Sequence, residues 1–252
     1  MPVKLHQRLR ICSLMYYHQE NKNTYKLLFS MEAMKKRKLE MLLERVRGFD
    51  RPDVTKEQYA TPAVVAADLL YFAFMNGDLD GSVIDLGCGT GMLAIGARVL
   101  KDDAGMDATQ KVIGIDSDIR ALEVAKANAE ALETDVDWVH CDVRDVSVAL
   151  NAGSRFDTVV MNPPFGAQEK GNDRPFLDKA LEIGRVVYSI HNAGSASFIE
   201  SYVEGRGAVT NVVELKFPMR HTYSFHKKEL ALIDVELFRI EAAVEKGENI
   251  VD

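Results

Sequence analysis

Ser82-Val83-Ile84-Asp85-Leu86-Gly87-Cys88-Gly89-Thr90-Gly91 is a short apolar strand running into a glycine-rich turn, and Met92 to Leu100 continues it with the apolar spacing of a helix. A strand, a glycine turn and a helix in that order form the first unit of a doubly wound sheet, where glycine lets a ligand approach the backbone. The turn alone is a weak signal, so its neighbours carry the argument. Lys111 to Ile115 reads as a second strand with Asp116 at its carboxyl end, followed by an amphipathic helix from Ile119 to Leu132. An acidic residue there is placed to bind the two hydroxyls of a ribose. A third strand, Val136 to Cys141, ends in Asp142, which could accept a hydrogen bond from the exocyclic amine of an adenine.

The fourth strand, Phe156 to Met161, stops at Asn162-Pro163-Pro164-Phe165. Proline disfavours the α region for the residue before it, which holds Asn162 extended with its amide projecting into a cleft at the strand's end. The asparagine amide oxygen and the Pro163 carbonyl are both acceptors, and Pro164 has no N–H to compete for them. Together they suit both hydrogens of an NH2 group, with Phe165 as a flat face for the ring that bears it. Read by itself, Pro-Pro is more readily a loop terminator with Phe165 in the core, and it is the context that reverses this. A nicotinamide dinucleotide would also satisfy the glycines and Asp116, but it leaves the amine-binding turn without a purpose.

This order of motifs resembles the class I methyltransferases that use S-adenosylmethionine, and Asn-Pro-Pro-Phe/Tyr marks those acting on planar nitrogen. The flanks are similar to a narrower group. Glu57-Gln58-Tyr59-Ala60-Thr61-Pro62, Asp85-Leu86-Gly87-Cys88-Gly89, Cys141-Asp142, Val160 to Gly166, Val187-Tyr188-Ser189-Ile190-His191 and Phe225-His226-Lys227-Lys228 resemble the methyltransferase-like protein 5 family, with the likeness running from about Lys35 to Glu241. The resemblance implies methylation of N6 of an adenosine in small-subunit ribosomal RNA. It implies contacts to S-adenosyl-L-methionine from Gln58, Thr61, Asp85, Gly87, Gly89, Thr90, Met92, Asp116 and Asp142, with Thr90 acting through its backbone. Asn162, Pro163, Pro164 and Phe165 would form the catalytic turn. It further implies a small zinc-binding activator protein that adds to the sheet edge. Two other readings stand beside it: a methyltransferase of a release-factor glutamine amide or of DNA adenine, and an inactive fold that binds RNA or a partner.

The expected architecture is α/β, a Rossmann-like, mostly parallel seven-stranded sheet. Its antiparallel terminal hairpin is expected from the alternating stretches Val209 to Phe217 and Ala231 to Ile240. A fifth strand is expected over Arg185 to Ile190, with helices over Phe176 to Gly184 and Ala196 to Glu204. Pro62 is expected to open a helix through about Met75 with Thr61 as its N-cap. The domain reading is a poorly ordered extension over 1–30, helices packing on the cofactor site over 31–80, the methyltransferase domain over 81–241 and a tail over 242–252. Gly166 to Arg174 reads as a mobile loop over the target base or, equally, as an ordinary exposed strand-to-helix connection.

Residues 1–47 hold 11 Lys/Arg against 4 Glu, a balance of +7, while the other 205 hold 20 basic and 34 acidic side chains. The acidic body leaves Lys36 and Arg37, on a helix with the apolar stripe Leu39, Leu42, Leu43 and Val46, as candidates for phosphate contact. His226, Lys227 and Lys228, between the two long strands, are further RNA candidates because aromatic and basic groups alternate around them. A solvated basic face and a hairpin loop with incidental charge are the respective alternatives. Cys12, Cys88 and Cys141 have no ligand spacing, so no metal site is expected. No apolar run approaches the roughly 18–20 residues of a bilayer span, and no secretory pattern opens the chain, which points to the cytoplasm.

Overall fold

A computed structural model describes residues 8–9, 36–53, 57–150, 155–165, 171–220 and 230–243. One mixed sheet runs through it in the order β1-β7-β8-β6-β5-β2-β3-β4. The central strands β2 (Val83–Leu86), β3 (Val112–Asp116), β4 (Asp137–His140), β5 (Phe156–Met161) and β6 (Gly184–Asn192) are mutually parallel, and β7 (Gly207–Arg220) and β8 (Leu230–Ala242) form the antiparallel terminal hairpin. The two residues of β1, Arg8–Leu9, pair parallel with β7 at one edge. The rest of segment 1–30, where poor order is expected, lies outside the described residues.

Both faces of the sheet are covered, which is why the central strands read as continuous apolar runs. Val83 and Val160 face a core shared with α2 (Ala63–Met75), α3 (Met92–Asp103) and the helical residues 36–43, here α1. Ile84, Leu86, Val159 and Met161 face the opposite core, shared with α6 (Arg174–Ile183) and α7 (Ala196–Val203). The α1 stripe is used as expected: Leu39, Leu43 and Val46 are buried while Met41 is exposed. The helix α4 (Ile119–Ala131) starts at Asp118, whose side chain accepts from the Arg120 amide. A 3-10 turn, Val143–Asp145, and a short helix, α5 (Val146–Ala149), follow β4.

One local expectation is overturned. The helix α2 begins at Ala63 with Pro62 extended as its N-cap, and no side chain caps it. Thr61 does not cap because its hydroxyl is engaged by Asn162, 101 residues away in sequence. The register explains how distant residues meet. Asp85 pairs with Val160, so Gly87 and Asn162 each leave neighbouring strands two residues beyond one rung. The strand order reverses between β2 and β5, where ligands of such sheets bind.

Candidate active site

At that switch point a cavity of about 380 Å³ opens beyond the strand ends. Its size is in the range of small-molecule sites. All nine residues expected at the cofactor line it, as do Asn162 and Pro164.

The glycine turn adopts the left-handed region at Gly87, Gly89 and Gly91 (φ +72°, +52° and +90°), where other L residues are strained. Gly87 is also close-packed, since a Cβ there would lie 2.8 Å from the Phe176 ring. Gly91 supplies no capping side chain to α3, and the Asp85 carboxylate takes the role, accepting from the Ala94 amide at 3.0 Å. Asp85 is 1 % exposed, and its second oxygen has no partner among the described residues. Burial, opposed by the Ala94 amide and reinforced by the charge of Asp116, pushes its carboxyl up to about 8. A buried carboxyl with one oxygen still unsatisfied, beside glycines that permit close approach, fits a polar ligand in the cavity.

Asp116 ends β3 and braces the turn. One carboxylate oxygen accepts from the Gly89 amide and the other from the Asp118 amide, both at 2.8 Å. Gln58 lines the cavity with its amide held at both ends, accepting from the Asp53 amide (2.9 Å) and donating to Asp118 (3.0 Å). The hydrogen bonds from Arg120 and Gln58 hold the Asp118 carboxyl well below the usual carboxylate range. Asp142 is gripped by Arg144 through Nε (2.8 Å) and Nη2 (2.7 Å), which lowers its carboxyl to about 2. Met92 and Thr90 are buried, and the Thr90 carbonyl accepts from Asn128 at 3.0 Å.

Asn162 points its amide at the cavity. Its Nδ2 donates to the Thr61 hydroxyl at 3.0 Å, while Oδ1 is buried without a partner among the described residues. An unpaired buried carbonyl costs free energy that an incoming N–H donor would recover. Pro163 is buried and does not line the cavity; Phe165 does not line it either, its ring lying 5.8 Å and nearly perpendicular to Phe217 and 6.3 Å from Tyr59.

Lys36 is paired with Asp68 of α2, and Arg37 is exposed. His226, Lys227 and Lys228 lie outside the described residues, as do 166–170 of the expected loop; 171–173 form a turn into α6. The sequence gives no signal for three groups. Asn128 accepts from the Arg47 amide (3.0 Å) and donates to the Arg47 and Thr90 carbonyls (2.9 and 3.0 Å), tying the amino-terminal segment to the glycine turn. Glu57, at φ 51° and 6 % exposed, accepts from the Tyr59 hydroxyl at the cavity wall. Phe176 closes the opposite wall.

A nucleotide-type turn with an amine acceptor on the adjacent strand defines a class I methyltransferase that draws on S-adenosylmethionine. The family model "Methyltransferase small domain" matches residues 64–181. The rRNA N(6)-adenosine-methyltransferase METTL5 of Danio rerio is 37 % identical over 82 % of this chain and 98 % of its own length. The uncharacterized protein MJ0284 of Methanocaldococcus jannaschii is 45 % identical over 82 % and 94 %. The crystal structure of PH1948 from Pyrococcus horikoshii superposes with a TM-score of 0.71 at 38 % identity, covering 83 % of this chain and 98 % of that one. The chain belongs to the METTL5 family of rRNA adenine-N6 methyltransferases.

Proposed function

We propose that the chain methylates N6 of an adenosine in small-subunit ribosomal RNA, in the cytoplasm and with a small zinc-binding activator as partner. The observation that carries the chemistry is the partnerless Oδ1 of Asn162, clamped through its own Nδ2 by Thr61 at the mouth of the strand. S-adenosylmethionine supplies, when bound, a methyl group already activated for displacement. Asp116 would hold the ribose hydroxyls, Asp142 the adenine amine, and the glycine turn the chain that links them. Asp85, beside the turn, offers its partnerless oxygen as a hydrogen-bonding group.

Adenine N6 is a weak nucleophile because its lone pair is delocalised into the ring. A hydrogen bond from N6 to Asn162 Oδ1 would draw the nitrogen toward tetrahedral geometry and favour the positive charge that grows on it during attack; the Pro163 carbonyl, buried behind the cavity wall, would take the second hydrogen only if the turn opened to the base. The new N–C bond forms as the C–S bond breaks, and the methylated ammonium then releases its proton to water, so no strong general base is needed. The adenosine must leave its own helix to reach the turn.

Among the described residues the sheet ends at β4, whose Trp138 and Val139 are only half-buried, and this edge supports addition of a partner strand. Among the described residues no helix is long and apolar enough to cross a membrane. The test is transfer of labelled methyl to small-subunit rRNA, a release factor and duplex DNA in parallel, with nucleoside analysis. N6-methyladenosine in the RNA alone is expected; label in the release factor or DNA would move the substrate class.

A further inference from the structure

The strand β6 passes behind the catalytic turn. Val160 pairs with Tyr188 and Met161 with Ser189, so Ile190 to Asn192 run on beside Asn162–Phe165. Successive side chains of a strand point to opposite faces, and two of these grip the two ends of the connection between the catalytic turn and α6. Asn192 Nδ2 donates to the Phe165 carbonyl at 3.5 Å. His191 Nδ1 stands 3.5 Å from Asp173, the N-cap residue of α6. Asn172, Pro175 and Phe176, which flank Asp173, line the cavity.

The other ring nitrogen of His191, Nε2, lies 2.7 Å from the Ser189 hydroxyl. Phe238 meets the ring edge-on at 5.7 Å. A Ser-His-Asp series suggests nucleophilic catalysis, but Ser189 is 0 % and His191 3 % exposed, so no substrate reaches them. Burying such groups is costly unless each is hydrogen-bonded, and here the series spans from β6 to the first turn of α6. Phe176, one turn into that helix, is the residue packed against Gly87.

We propose that His191 is a positioning residue for methyl transfer: through Asp173 it fixes the start of α6, and so sets Asn172 and Phe176 against Asn162 and the glycine turn. The inference rests on the reading of the cavity as a methyltransferase site. Small displacements of groups around reacting atoms cost up to about a hundredfold in rate.

Two substitutions separate this role from simple core filling. Asparagine at 191 places an amide where Nδ1 stands, toward Asp173, whereas glutamine places one where Nε2 stands, toward Ser189. Steady-state methylation of small-subunit rRNA is measured for the full chain, together with hydrogen exchange of the α6 amides without substrate. H191Q and D173A are expected to lose about 10- to 100-fold in kcat and to exchange faster in the first turn of α6 but not in α7. H191N should stay within about threefold of the parent, because the contact to Asp173 survives in that variant. Equal activity of H191N and H191Q, or unchanged exchange in α6 of H191Q, overturns the proposal. If the parent chain transfers no methyl to RNA, the functional reading fails, while the exchange comparison still decides the positioning role.

Discussion

Replacing Thr61 by valine keeps the shape of the side chain and removes the hydroxyl that holds the Asn162 amide. A neutral hydrogen bond contributes about 0.5–1.5 kcal/mol net, and about 1 kcal/mol corresponds to a fivefold change in population. With the bond gone, the amide turns about its terminal torsion and presents Oδ1 to the substrate less often. T61V should therefore lower kcat by about fivefold. N162A removes the acceptor altogether and should cost about 10²–10³-fold, the scale of deleting one preorganised charge-stabilising group. The double variant should be no slower than N162A, because the hydroxyl acts only through the amide. Single-turnover transfer at saturating RNA, with cofactor affinity measured separately by calorimetry, reads all three. An unchanged kcat in T61V, or a double variant far below N162A, refutes the reasoning.

The Asn128→Leu substitution deletes three hydrogen bonds and strands the backbone groups of Arg47 and Thr90, so unfolding free energy in urea should fall by about 2–4 kcal/mol. Asp85 holds a proton in the folded chain that it releases when unfolded, its carboxyl rising from 3.8 to about 8. Its effect is greatest stability below pH 4, declining as pH rises through 8, and D85N should flatten that slope in urea melts across the window. Arg239 pairs with Asp78 at 2.7 Å with both side chains 12 % exposed, and Tyr188 donates to the same carboxylate. R239M, which leaves that carboxylate buried, should lose about 3–5 kcal/mol, seen as a drop in urea midpoint at unchanged slope.

The strand ends were legible because each apolar run stops at a polar or cyclic residue: Asp85 before glycines, Asp116, Asp142, and Asn162 before two prolines. Those signals are local, and they bring nine cofactor candidates and Asn162 to one cavity. What stayed hidden depends on partners far along the chain. Thr61 has the local signature of an N-cap, yet its hydroxyl serves a strand 101 residues on. Asn128 reads as an ordinary mid-helix polar residue until the chain near Arg47 comes to lie against it. Lys36 reads as a candidate for phosphate contact, and only the packing of α1 on α2 shows it paired with Asp68. Ser189 and His191 were visible in a motif, but nothing local tells that Asp173 joins them.

The shared rung of Asp85 and Val160 has a consequence for how such enzymes change targets. The strands that carry the donor cradle and the acceptor amide are held one inter-strand interval apart at that rung, about 4.8 Å, and that interval is imposed by the backbone hydrogen-bond ladder. No loop exchange alters it. A new substrate must then be admitted by reshaping what surrounds the rung, namely the first turn of α6, the approach past Tyr59 and the strand hairpin, while the spacing of the two strands stays constant.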